Sequence, residues 1–243
     1  MQDPTFSSRA CAGVIVVGLA AGLAAGACGS SDTCTVDASY KPAIDPANFV
    51  AQIDNPLFPL VPGTEYTYQG DGETVKYVVT HETKTILGVT CVVVHDSAYV
   101  DGELIEDTLD WFAQDKDGNV WYFGEDTKEY EGGKVSSTEG SWQAGVDGAQ
   151  PGIVMHAEQP AVKQAYRQEY LACEAEDMAE VTRLSAAVSV PFGDFSDCVE
   201  TREFTPLEAD LDEAKFFCKG VGLALVIDNN TGARVELIDV ITP

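Results

Sequence analysis

Basic side chains are scarce in this chain, which sets 14 Lys and Arg against 40 Asp and Glu for a formal net charge of −26 over 243 residues. Nucleic-acid binding relies on basic groups displacing phosphate counterions, so a nucleic-acid partner is excluded. A surface so acidic repels anionic lipid headgroups, attracts cations and keeps a domain soluble. Histidine is scarcer still. His81, His95 and His156 stand apart and form no His-x-His or His-Glu-x-x-His pattern. There is no Cys-x-x-Cys pair, no Gly-x-Ser-x-Gly elbow and no phosphate loop. Zinc, redox, serine-hydrolase and nucleotide chemistry therefore lack their usual residues, and no cofactor is expected. A catalytic carboxylate pair always has room among so many acids, but no spacing indicates one.

Long apolar runs are also lacking, apart from one at the start. Met1 to Arg9 is polar with a single basic residue, and Ala10 to Ala27 carries no charge. Its length would allow a short membrane helix. Its four glycines, the absence of a basic stop-transfer cluster and its Ala25-Gly26-Ala27 ending instead read as a removable export signal over residues 1–27. Two processing routes meet at one bond. Ala25-Gly26-Ala27 suits ordinary signal peptidase, while Ala25-Gly26-Ala27-Cys28 resembles a lipoprotein lipobox, with Ala25 where Leu is usual and Leu23 two places further back. Both routes cut before Cys28. Lipidation of Cys28 is the favoured reading, because Gly29-Ser30-Ser31-Asp32 follows at once as a tether. Each buried acyl methylene contributes about 0.8 kcal/mol, so two or three chains hold a soluble domain on a bilayer. Cysteine parity argues mildly the other way. Acylating Cys28 leaves Cys34, Cys91, Cys173, Cys198 and Cys218, an odd set with one thiol unpaired.

Residues 28–53 are poor in large apolar side chains and read as a flexible tether, followed by a single β-rich domain over 54–243. Between Gly63 and Gly140, strand-length runs alternate with the turn dipeptides Asp71-Gly72, Asp101-Gly102, Asp117-Gly118 and Gly132-Gly133. Each dipeptide supplies the positive φ angles of a tight hairpin. The clearest hairpin pairs Trp111–Gln114 with Val120–Phe123, its aromatics packing across the strands. Over 159–189 the pattern is ambiguous: Val162, Tyr166 and Tyr170 have helical spacing, yet Tyr166, Gln168 and Tyr170 alternate as in a strand. Strand signals return at 197–205, 214–218, 223–228 and 234–241. A hairpin turning about Glu208 would set Cys198 opposite Cys218, and a disulfide between them is predicted.

Three blocks, Asp54 to Thr64 (DNPLFPLVPGT), Val190 to Phe195 (VPFGDF) and Gly220 to Leu223 (GVGL), resemble those of secreted bacterial lipoproteins of unassigned function. The resemblance implies strands at 164–171 and 181–190. It also implies an all-β, mainly antiparallel, curved meander sheet or half-barrel with room for one short helix, similar to envelope lipoprotein carriers. It is silent on cysteine pairing.

Carboxylates cluster at Glu174, Glu176, Asp177 and Glu180, and again at Glu106, Asp107, Asp110, Asp115, Asp117, Glu125 and Asp126 around the aromatic hairpin. A curved sheet would bring Glu125 and Asp126 toward Glu176 and Asp177, where weakly held Ca²⁺ would suit the oxygen ligands. Asp115 to Asn119 is not an EF-hand loop, since its Gly stands fourth rather than sixth. His95 beside Asp96 reads as a strand-end side chain. The expected function is a cell-envelope lipoprotein that binds or scaffolds, its partners a membrane reached through the lipid and a small molecule or envelope protein. The alternative is an extracytoplasmic hydrolase using paired carboxylates.

Overall fold

The computed structural model describes residues 36–70 and 72–243. The export signal of 1–27, Cys28 and Cys34 lie outside the described residues, as does Asp71. The fold is all-β, with one 3-10 turn at Pro46–Asn48. Short β1 (Phe49–Val50) and β2 (Glu65–Gly70) lead into four long strands, β3 (Glu73–Ile86), β4 (Val89–Val100), β5 (Glu103–Asp115) and β6 (Val120–Glu131). Short pieces follow: β7 (Lys134–Ser137), β8 (Trp142–Gln143), β9 (Gln150–Met155), β10 (Ala165–Arg167) and β11 (Glu169–Tyr170). The chain ends on β12 (Met178–Val190), β13 (Gly193–Phe204), β14 (Asp212–Cys218), β15 (Gly222–Asp228) and β16 (Arg234–Ile241).

The spatial order runs β10-β12-β13-β14-β15-β16-β2-β3-β4-β5-β6-β9-β11, antiparallel throughout, with β1 on β5 and β7 and β8 on β6. The two ends of this order are neighbours in sequence. Tyr166 pairs with Ala179 on one side and Glu169 with Pro151 on the other, while the Gln168 N–H donates to the Asp177 carbonyl between them. The sheet thus curls round and nearly closes as a barrel, which removes the exposed edges an open sheet would leave. Gly152 permits the closure, because a Cβ there would lie 2.4 Å from the Gln168 backbone. Register shifts in β3 to β6 supply the coiling that closure requires. One falls beside Gly124, whose φ of +126° and whose approach to the Trp142 carbonyl admit no side chain.

The hairpins follow the sequence signals, except that at Asp117-Gly118 the glycine alone takes positive φ. Asp101-Gly102 and Gly132-Gly133 hold positive φ at both residues, and Phe112 pairs with Tyr122 and Ala113 with Trp121. The ambiguous region resolves as strands β10, β11 and β12. Between β13 and β14 the pairs Val199 with Phe217 and Thr201 with Lys215 set the register that brings Cys198 and Cys218 together. They form a disulfide with Cα atoms 4.2 Å apart. Replacing both by Ser is expected to cost roughly 3 kcal/mol in urea unfolding, as the released loop regains entropy in the unfolded chain. An unchanged midpoint would mean the bridge adds nothing to a register already fixed by the ladder.

The segment expected as a tether up to residue 53 is docked from Asp37 onward, whose N–H donates to the Tyr170 hydroxyl. The Tyr40 hydroxyl donates to the Pro151 carbonyl, Arg167 lies against the rings of both Tyr40 and Tyr170 and reaches Asp37, and Phe49 packs on Trp121 and Phe123. Few apolar residues are needed because aromatic stacking and hydrogen bonds carry the contact. The DNPLFPLVPGT block then plugs one end of the barrel. Asn55 receives Leu57 N–H on its side-chain oxygen and donates its side-chain N–H to the Gly118 carbonyl, fixing a turn that drives Phe58 between Phe112 and Phe217. Ile53, Leu57, Phe58 and Leu60 are all buried there.

Candidate functional site

Above the plug the barrel interior turns from apolar to acidic. Strand pairing sets Tyr66, Tyr77, Asp96, Thr108 and Thr127 directly opposite one another across β2 to β6. The next row runs Val94, Asp110, Glu125 and Trp142. Inward positions recur every second residue of a strand, so Asp96, Asp110 and Glu125 all face the lumen, where their exposure is 2%, 0% and 3%. From the far wall come Glu169, Asp177, Glu203 and Lys215, all buried or nearly so, with Glu213 close by.

Part of this lumen is hydrogen-bonded. The Tyr122 hydroxyl donates to Asp110 Oδ1 at 2.7 Å, and the Thr127 hydroxyl donates to Glu125 Oε2 at 3.0 Å. Lys215 Nζ lies 2.9 Å from Glu203 and 3.5 Å from Glu213. Other buried polar atoms have no well-aligned partner: Asp110 Oδ2, the Tyr77 hydroxyl, Glu169 Oε2, Asp177 Oδ1 and both Asp96 carboxyl oxygens, which only the Ser97 backbone N–H approaches. Buried groups of this kind call for compensation by protons, water or a ligand. Burial is the main cause that pushes the Glu106, Asp110 and Asp177 carboxyls up to about 7. Asp96, Glu125 and Glu169 are raised further in the same direction, first by burial and then by one another's and Asp110's charge or that of Glu106 and Asp177.

Solvent approaches the lumen beside the plug. A recess of about 30 Å³ is walled by Phe58, Leu60, Tyr66, Tyr68, Tyr77 and Leu223. The Tyr66 and Tyr68 hydroxyls are committed to the Pro59 and Leu223 carbonyls. Tyr77 is different: its ring walls the recess, while its unpartnered hydroxyl lies in the field of Asp110 and Asp96. One side chain therefore separates an aromatic mouth from the acidic interior.

The residues expected to hold calcium are distributed otherwise. Glu125 and Asp177 reach the lumen. Asp126, next along the same strand, is sent to the opposite face and pairs there with Lys128 at 3.3 Å. Glu176 is engaged by Arg167 at 3.6 Å and by the Cys173 N–H at 2.9 Å. The four do not form one centre, and among the described residues no three His, Cys, Asp or Glu side chains are grouped to hold a metal ion. His95, expected at a strand end, stands mid-strand in β4 with its Nε2 against Asp107. Asp115 accepts from the Asn119 N–H and the Trp121 indole, which shapes the β5–β6 turn. Sequence marks Asp110 as one of a carboxylate cluster, but it gives no signal for Tyr77 or Asp96 beyond their alternation within strands.

No family model matches the chain, and no curated protein matches it. Among solved structures it is similar to a protein of Parabacteroides distasonis ATCC 8503, provisionally assigned as a lipoprotein, with 11% identity and a TM-score of 0.42 over 77% of this chain and 99% of that one. A likeness of that degree does not extend to function. Among the described residues no helix is long and apolar enough to cross a membrane.

Proposed function

We propose that the chain is an exported, lipid-anchored protein of the bacterial cell envelope, and that its barrel binds a small ligand rather than transforming one. The observation that carries the binding reading is the junction at Tyr77, where an aromatic recess meets buried carboxyl oxygens that lack well-aligned partners. The hydrolase alternative needs a carboxylate pair lining a substrate-accessible surface, whereas the recess is lined by aromatic and aliphatic side chains and by no carboxylate.

The anchor reading rests on the uncharged run ending at Ala25-Gly26-Ala27-Cys28. The cysteines support it. Cys198 and Cys218 are paired, Cys173 is disulfide-bonded, and the odd thiol that acylation of Cys28 requires is supplied by Cys91, which is buried and pushed up to about 12 by desolvation. A thiol so placed is inert, and its survival unpaired in an oxidising compartment is expected. Because the chain is docked from Asp37, the stretch from Cys28 to that residue spans at most roughly 32 Å, and the barrel seam near Tyr40 and Arg167 is held close to the bilayer.

Cys28→Ser is expected to move the protein from the membrane to the soluble fraction. Identical partition of variant and parent would sink the anchor.

A further inference from the structure

We infer that Cys173 is joined by a disulfide to Cys34, and that this bond staples the membrane tether to the barrel seam. The inference rests on the anchor reading above, which selects Cys34 from the candidates. Cys173 is disulfide-bonded. Its partner is neither Cys198 nor Cys218, which are bonded to each other, nor Cys91, whose buried thiol is free. Cys11, Cys28 and Cys34 remain, all outside the described residues. Removal of the export signal takes Cys11 and acylation consumes Cys28, so Cys34 is the thiol left to pair.

The docked chain leads to the same pairing. The Asp37 N–H donates to the Tyr170 hydroxyl, and Arg167 reaches Asp37 at 3.4 Å with one nitrogen and Glu176 at 3.6 Å with another. Glu176 in turn accepts the Cys173 N–H at 2.9 Å. A continuous run of contacts thus joins Asp37 to Cys173. Cys34 precedes Asp37 by three residues in sequence, a reach of at most about 10 Å, and a disulfide needs Cα atoms within about 7 Å. Cys173 is exposed in a tight turn closed by the Leu171–Ala175 pair, and is accessible to a thiol arriving from outside the barrel. Closing the bond takes one proton and one electron from each thiol, and a disulfide-bearing oxidant of the extracytoplasmic compartment accepts both electrons and is itself reduced to a dithiol. The free tether then shortens to the stretch from Cys28 to Cys34, at most roughly 21 Å of chain. A chain at −26 is repelled by anionic headgroups, and a covalent staple resists that outward pull where single hydrogen bonds would yield.

The test takes the protein purified natively from its membranes, alkylates it without reduction and digests it with a protease that cuts before aspartate. Cuts before Asp32 and Asp37 put Cys28 and Cys34 on different fragments, and Cys173 falls in 147–176. The expected product is fragment 32–36 joined to 147–176 and separated by reductant, with the acyl chains on the fragment that ends at Ser31. Cys34→Ser is expected to leave Cys173 alkylated, and Cys173→Ser to leave Cys34 alkylated. The map of the unmutated protein decides the matter even if neither variant accumulates. A fragment 147–176 that carries an alkylated Cys173, or that is joined to the fragment bearing Cys28 or Cys91, overturns the inference. Linked 32–36 beside an unacylated Cys28 would uphold the staple and remove the anchor, whereas acylated Cys28 beside alkylated Cys34 and Cys173 would do the reverse.

Discussion

Raising the pH from about 4 to 8 is expected to destabilise the barrel by several kcal/mol, the reverse of what an acidic protein held together by surface ion pairs would show. The sign follows from the lumen. Glu106 and Asp110 titrate in the folded state near 7, because burial disfavours their charged forms, against ordinary values of 4.5 and 3.8. Below those ordinary values both folded and unfolded chains are protonated, and the contribution is fully present. As the pH rises toward 7 the unfolded chain sheds protons that the folded chain keeps, so stability is lost until the folded groups ionise too. For Glu106 alone the loss is on the order of 3 kcal/mol. Asp212, held low chiefly by its hydrogen bonds from Arg202, acts in the opposite direction, but it lies near the surface where solvent screens it. Unfolding midpoints in moderate salt, which damps surface repulsion, check the prediction. Glu106→Gln keeps an acceptor for the Thr108 hydroxyl and should flatten the profile and raise the midpoint at pH 8. A midpoint that climbs from pH 5 to 8 would contradict the buried-acid account.

Lys215→Met is expected to cost about 3–5 kcal/mol, among the largest single effects in the molecule. Burial alone would lower the ammonium's pKa, and the carboxylates of Glu203 and Glu213 more than reverse that, so the charge is retained inside. Removing it leaves Glu203 and its neighbours facing one another without a cation. The diagnostic is rescue. Adding Glu203→Gln, whose amide still accepts from the Thr201 hydroxyl, should recover more than half of the loss, because the penalty lies in the stranded charge rather than in lost packing. A double variant no more stable than Lys215→Met would place the loss in side-chain volume instead.

Local features of the fold were legible in the sequence wherever local chemistry decides them. Asp101-Gly102 and Gly132-Gly133 turn because both residues must hold positive φ, and the 198–218 pairing follows from counting outward from one turn. The turn at Leu87-Gly88 was not legible, since Leu87 at φ 51° offers no turn signature of its own. Closure of the barrel was also hidden. It depends on Gln168 bridging two distant strands, which no periodicity records. The acid clusters were visible as composition, but not their sorting. Glu125 and Asp126 are equivalent in a count and opposite in space, and Asp96 looked unremarkable beside His95 until its two neighbouring strands, β3 and β5, placed it in a row with Tyr77 and Thr108. The docked course of residues 37–53 escaped notice because it uses Tyr40, Phe49 and backbone hydrogen bonds rather than an apolar run.

Anchoring of the barrel at the cell envelope is tested most directly by mass spectrometry of the protein purified natively from its membranes. The predicted result is a chain that begins at Cys28, carries acyl chains on that residue, retains Cys91 as a free thiol and holds Cys198 and Cys218 in one disulfide. A chain that begins elsewhere, or one that begins at Cys28 with no lipid on it, would contradict the claim.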